Sequence, residues 1–335
     1  LGNVAKWSLE LSTGFTSPDT KALGKWLIDG AGRSKYGLLF KLILGDLRGL
    51  EGKGPQDLNL PLQKYLEGAD LVTSRTGWNK NDIAVYMFAR HWDSARYEPS
   101  SGALSIYKNG EPILVRGITG KAFYDETNNS GIWIWNNDKK IRATLGQGST
   151  YWSKLRNQSP RSYRAVSARD VLSEENTPYR PQTLTKFSID DSVLTASTSF
   201  AKLLKYRGVE EVKRTIVHDA SIVTITDIIK APKQARVLVS FRLPEVPLIS
   251  GLKAETSRAV LEISAQDAKL EWSGGEGKEL IGPTGLWHGH KKDGLTPGYS
   301  NKPNARKKYG MGYLFIESTP SAGTYEIVTK VTIKD

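Results

Sequence analysis

The sequence predicts a mostly β protein, a large antiparallel β-sandwich of stacked sheets preceded by a short α-helical segment. Two observations predict it. From about Ala69 onward, short runs of β-branched and aromatic residues alternate with polar ones, and turn residues separate the runs. Before that point, apolar residues recur at spacings of three and four, the period of a helix. More than ten strands at such spacing cannot form one open sheet and must stack. The expected division is therefore a helical segment over residues 1–68 and an antiparallel sandwich domain over 69–335.

In the first segment, Thr20 to Asp29 and Lys35 to Leu47 carry the helical spacing. Gly30, Gly32, Gly49, Gly52 and Gly54 stand where helices stop, and Gly52 to Asp57 reads as a loop. Two helices bury little apolar surface alone, so this segment is expected to pack on something else, an upstream domain or a second chain. The predicted strands are Asp70 to Arg75, Ile83 to Ala89, Ala103 to Tyr107, Ile113 to Arg116, Gly131 to Trp135, Leu184 to Ile189 and Val193 to Ser197. Then come Val212 to His218, Ser221 to Ile229, Arg236 to Phe241, Ala259 to Ser264, Lys269 to Trp272, Gly312 to Ser318 and Thr324 to Ile333. Asn109-Gly110 supplies the positive φ angles of a tight hairpin turn, and His218-Asp219-Ala220 joins a second hairpin. Gly146 to Thr183 and Gly274 to Arg306 show no element; long loops on a β scaffold tend to carry function.

Composition narrows the function classes. The 335 residues carry a net charge of +12, which favours polyanionic partners. No recognition helix, zinc-finger spacing or RNP-type strand is present, so nucleic acid is not an expected partner. The longest apolar run, Tyr36 to Leu44, is too short for a bilayer and contains Lys41, so no membrane partner is expected. The absence of cysteine excludes disulfides, thiolate metal sites and thiol nucleophiles. The chain begins at Leu1 with no visible leader, which reads as a processing boundary, and the expected location is secreted or periplasmic.

The densest polar cluster is His91-Trp92-Asp93-Ser94-Ala95-Arg96-Tyr97-Glu98, placed where a plain hairpin needs only a turn. The sequence around it resembles the sheet domain of the heparinase II/III-like polysaccharide lyases. The resemblance is carried by Ser74-Arg75-Thr76-Gly77-Trp78, by Asp82 to Phe88, and by Ser101 to Gly110, which reads SGALSIYKNG. It implies an (α/α) toroid followed by an antiparallel sandwich, with residues 1–68 as the last toroid helices, and cleavage of an acidic polysaccharide. This chain departs from the family's zinc site. Arg96, Glu98 and Ser100 replace a His-x-His-x-Asp pattern, Arg116 replaces an Asp, and Thr127 to Gly131 offers no histidine. No metal or other cofactor is therefore expected. Ser94 to Glu98 also resembles the Arg-Tyr-Glu pattern of chondroitin, hyaluronate and xanthan lyases, which need no zinc there.

Cutting a uronate polysaccharide by β-elimination requires a group that neutralises the carboxylate, a base and an acid. Arginine suits the first task because it is always charged and binds carboxylates through two donors. Tyrosine beside a cation, or histidine, suits the others. Tyr97, Arg96 and His91 are the candidate catalytic residues. Arg75 is a candidate carboxylate clamp, with Glu98 beside the cluster. Trp133 and Trp135 alternate along one strand and share a face, so they suit either sugar stacking or core packing. His288 and His290 lie in a basic loop with Lys291 and Arg306, a candidate surface for gripping a polyanion; without a third ligand the pair carries no metal assignment. The opposing readings are a carbohydrate-binding or structural sandwich without chemistry, and a glycoside hydrolase using Glu98 and Asp93.

Overall fold

The computed structural model describes residues 17–31, 49–67, 70–89, 102–115, 132–136, 141–144, 184–199, 210–231, 236–274, 312–318 and 323–335. The chain divides into two compact units, Leu1–Leu62 and Gln63–Asp335.

In the first unit, helix α1 spans Pro18–Ala31. Ser17 caps it, accepting a hydrogen bond from the Thr20 amide at 3.3 Å, and Pro18 occupies the first helical position, where a missing N–H costs nothing. The following segment returns along the helix, with the Lys53 amide donating to the Ala22 carbonyl at 3.1 Å. The approach is close at Gly52, where a Cβ would lie 3.0 Å from the Trp26 backbone. The second predicted helix, Lys35 to Leu47, lies outside the described residues.

The second unit is β throughout its described residues, in three antiparallel sheets. The first is a five-stranded meander, β1 (Gln63–Leu66), β2 (Leu71–Arg75), β3 (Ala84–Phe88), β4 (Leu104–Lys108) and β5 (Glu111–Leu114). A second five-stranded sheet contains β6 (Ile132–Asn136), β7 (Ile141–Thr144), β12 (Arg236–Leu243), β16 (Ala268–Gly274) and β17 (Gly312–Ser318), in the order β16-β17-β12-β6-β7. The eight-stranded sheet contains β8 (Leu184–Asp190), β9 (Val193–Ser199), β10 (Glu211–Asp219), β11 (Ile222–Lys230), β13 (Leu248–Ser250), β14 (Lys253–Glu255), β15 (Ala259–Ala265) and β18 (Thr324–Ile333). Its order is β13-β14-β15-β18-β11-β10-β9-β8. An isolated bridge between Val115, just past β5, and Arg242 of β12 links the two five-stranded sheets.

Strict alternation builds the core. Along β10 and β11 every second residue is buried, and β18 repeats the pattern over ten residues. Val72, Met87 and Ile106 of the meander share one core with Ile216 and Ile225 of the eight-stranded sheet and Val239 and Phe241 of β12. Each such side chain contributes about 1.5–3 kcal/mol of burial. The structure also contains strands that carry no sequence signal. β1 falls inside the segment expected to be helical, and β7, β13 and β14 were not anticipated. At Asn109 (φ 57°) and Gly110 (φ 72°) the β4–β5 turn has the two positive angles expected.

Two polar contacts cross the core from β10. Arg214 and Asp227 face each other across β10 and β11, and both are wholly buried. Arg214 Nε donates to Asp227 Oδ1 at 2.6 Å and Nη2 donates to Oδ2 at 2.9 Å. Its Nη1 donates to the Gly102 carbonyl at 2.8 Å, and the guanidinium sits 5.7 Å from the Phe241 ring centre. Four residues on, on the same strand face, His218 Nδ1 lies 2.6 Å from Ser74 Oγ of β2.

Candidate functional site

The meander buries one face and presents the other. Val72 and Ser74, Val85 and Met87, and Leu104 and Ile106 point into the core. The alternate positions, Thr73 and Arg75, Ala84, Tyr86 and Phe88, and Ser105 and Tyr107, form the opposite face. Register sets large residues against small ones there. Tyr107 pairs with Ala84, which pairs with Arg75, while Tyr86 pairs with Ser105. The small side chains leave a floor and the large ones make walls. The result is an open cleft of about 630 Å³.

Arg75 ends β2 at one side of this cleft. Its Nη1 donates to Tyr86 Oη at 2.9 Å and its Nε donates to the Gly77 carbonyl at 3.2 Å. The guanidinium lies 4.8 Å from the Trp78 ring centre, within cation–π range. Tyr86 and Tyr107 meet edge to face, with centroids 6.2 Å apart. Lys80 adds a second cation to the lining.

The loop between β2 and β3 is rigid for local reasons. Thr76 closes it twice, its amide donating to the Ile83 carbonyl at 3.1 Å and its Oγ1 accepting from the Ile83 amide at 2.9 Å. The Asp82 carboxylate accepts from the Asn79 amide at 2.5 Å. It also lies directly against Gly77, where a Cβ would come within 2.4 Å of Asp82 Oδ2. Only glycine lets the carboxylate sit there, and the turn so held presents Trp78 to Arg75.

Behind the cleft, His218 is 2% exposed and Ser74 is fully buried. His218 Nε2 lies 3.1 Å from the Ala220 carbonyl, which can only accept. The proton is therefore assigned to Nε2, and Nδ1 accepts from the Ser74 hydroxyl. Burial lowers the imidazole below its ordinary 6.5, partly opposed by the Ala220 hydrogen bond and by Asp219.

Of the residues singled out from the sequence, the structure places Arg75 in this cleft. Trp133 and Trp135 lie on β6 at register positions opposite Leu238 and Arg236 of β12. His91, Arg96, Tyr97, Glu98, His288, His290, Lys291 and Arg306 lie outside the described residues, as do Asp93, Ser100, Arg116 and Thr127 to Gly131. The strand ends that bracket residues 90–101 are described. Phe88 and Gly102 are paired there, with the Gly102 amide donating to the Phe88 carbonyl at 2.7 Å. Sequence reasoning missed Tyr86, Tyr107 and Lys80 as cleft residues. The available signal was the alternate-position aromatics of Val85-Tyr86-Met87-Phe88 and Ile106-Tyr107. Among the described residues no group of three or more His, Asp or Glu side chains is arranged to hold a metal.

No protein-family profile matches the chain. No curated protein matches its sequence. Solved structures do match. Heparan sulfate lyase HepC from Pedobacter heparinus aligns over 96% of this chain and 42% of its own, with a TM-score of 0.51 and 13% identity. A heparinase III gene product aligns over 94% of this chain and 42% of its own, with a TM-score of 0.55 and 10% identity. The fold is that of the heparinase III-type lyase structures. At this identity the likeness is one of fold, in agreement with the resemblance carried by the Arg75 to Trp78 segment. The chain spans about two-fifths of the length of the heparinase III-type structures it matches.

Proposed function

We propose that this chain is the sheet-domain portion of a polysaccharide lyase that acts on an acidic, uronate-containing polysaccharide by β-elimination. The observation that carries the proposal is Arg75. It is a fixed guanidinium in an open cleft, flanked by Trp78 and Tyr86, and among the described residues no carboxylate pairs with it. Such a group binds a uronate carboxylate while aromatic rings stack on the sugar faces. A heparinase III-type fold and the +12 net charge support the same class of substrate. In this reading Tyr97 serves as base and acid, Arg96 and His91 assist it, and Glu98 contacts substrate. Trp133 and Trp135 extend the sugar-binding surface, and His288, His290, Lys291 and Arg306 grip the polyanion. The remaining toroid would be supplied by an upstream domain or a second chain, and the protein would act outside the cytoplasm. No helix among the described residues is long and apolar enough to cross a membrane.

A second reading is a non-catalytic carbohydrate-binding sandwich. It is favoured by the one carboxylate in the described cleft, Asp82, which is engaged with the Asn79 amide rather than free to transfer protons. One experiment separates the two. The protein is incubated with a panel of uronate polysaccharides, and the ultraviolet absorbance of the unsaturated uronate product is followed alongside binding. A rise that Tyr97→Phe abolishes, with binding retained, is the lyase outcome. Binding without any rise is the outcome for the binding module.

A further inference from the structure

We propose that His218 is a positioning residue of the cleft, holding Arg75 in place from the far side of β2 only while its imidazole is neutral. The inference rests on the cleft being the glycan-binding site. Ser74 and Arg75 are neighbours on one strand and point to opposite faces, so their Cα atoms are about 3.8 Å apart and share a peptide plane. Ser74 is anchored through its hydroxyl to His218 Nδ1 at 2.6 Å, a contact between residues 144 apart in sequence. Arg75 is anchored on the opposite face by Tyr86 and Gly77. The end of β2 is thus fixed from both sides, and His218 is the described side chain that grips it through the core.

The grip depends on protonation state. Because Nε2–H is committed to the Ala220 carbonyl, Nδ1 must keep its lone pair to accept from Ser74. A proton on Nδ1 reverses the bond: the Ser74 hydroxyl must rotate to accept, which turns its own proton, in a fully buried site, away from the acceptor it has. It also places a charge where His218 is 2% exposed and Ser74 fully buried. Among the described residues, the strands paired with these two offer no carboxylate as a partner. Within its own sheet His218 is flanked by Leu194 and Val223. On the meander, Ser74 is flanked by Gln63 and Val85. Arg214, on the same face of β10, is already paired with Asp227. Among the described residues Asp219, the next in sequence, is the carboxylate that acts on the ring, and burial outweighs it. Acid therefore weakens the anchor on Ser74, and the backbone at Arg75 loses rear support.

The test follows two nuclei. The Arg75 side-chain Nε–H resonance, assigned by its loss in Arg75→Lys, is recorded together with the His218 ring resonances from about pH 7.5 to about pH 5. Binding of a heparan sulfate oligosaccharide is measured over the same range. The Arg75 signal is expected to move with the midpoint of the His218 ring, and affinity to fall several-fold at the acid end. Ser74→Ala keeps the imidazole and removes the hydroxyl, so the two signals are expected to uncouple while thermal unfolding stays cooperative. His218→Gln is expected to remove the Arg75 transition. An Arg75 signal that stays flat while His218 titrates, or stays flat until global unfolding, overturns the proposal. The resonance measurement requires no glycan. Failure to bind the oligosaccharide at any pH, with the coupled transition intact, overturns the glycan-binding reading alone.

Discussion

The wholly buried Arg214–Asp227 pair makes the sharpest energetic prediction. Asp227→Ala leaves a guanidinium with no exposure and, of the three hydrogen bonds above, only the one to the Gly102 carbonyl. Removing one partner of a buried pair costs about 3–5 kcal/mol, because the survivor is a desolvated charge. Arg214→Met should cost a similar amount. It strands the Asp227 carboxylate and deprives the Gly102 carbonyl of its donor, which adds about 1 kcal/mol. The double variant Arg214→Met/Asp227→Leu leaves no buried charge at this pair of positions. It should be less harmful than the sum of the single changes by at least about 2 kcal/mol. Urea denaturation of the four proteins, with the slope m checked for constancy, measures this cycle. Single variants that lose less than about 1 kcal/mol, or strictly additive effects, would refute the claim that these two charges are desolvated together.

Three further outcomes are expected. Arg75→Ala and Trp78→Ala should each weaken binding of a uronate oligosaccharide about tenfold or more, while moving stability by less than about 1 kcal/mol because both act at a partly exposed cleft; calorimetric titration beside thermal melting checks this. Gly77→Ala should destabilise the protein by about 1–3 kcal/mol, since the new methyl displaces the Asp82 carboxylate; adding Asp82→Ala should recover part of the loss in a denaturant series. Stability should also fall with acid in a way that depends on His218. Its folded-state pKa lies below 6.5, so between the two values the unfolded chain binds more protons. The contribution of His218 is therefore full above 6.5 and is lost as the pH falls toward the folded value. Unfolding midpoints measured across that range should show a slope that His218→Gln reduces.

Much of the fold was legible because period-two alternation reports directly on burial in antiparallel strands. β10, β11 and β18 read cleanly, and Asn109-Gly110 specified its own turn. The missed strands carry no such signal. β1 (QKYL) is a half-exposed edge strand, and β13 and β14 are three residues each, too short for a period to show. The candidate site was legible at Arg75 and in the Thr76-Gly77-Trp78 step that follows it. Tyr86 and Tyr107 looked like ordinary strand aromatics, because nothing in a strand's own sequence says which neighbour's small residue will lie beside it.

A β-rich chain, its main strands, an excess of positive charge and the Arg75-Thr76-Gly77-Trp78 step can all be read along the chain. These are local properties, set by alternation, turn chemistry and composition. What Arg75 faces depends on how the strands assemble. Strand register brought Tyr86 to its guanidinium, the Gly77–Asp82 contact fixed the turn that carries Trp78, and sheet stacking placed His218 behind Ser74. Arg214 and Asp227 are ordinary charged residues until β10 and β11 pair in register and the meander covers them. Pairing of this kind depends on contacts across tens to hundreds of residues, and those arise only when the sheets assemble.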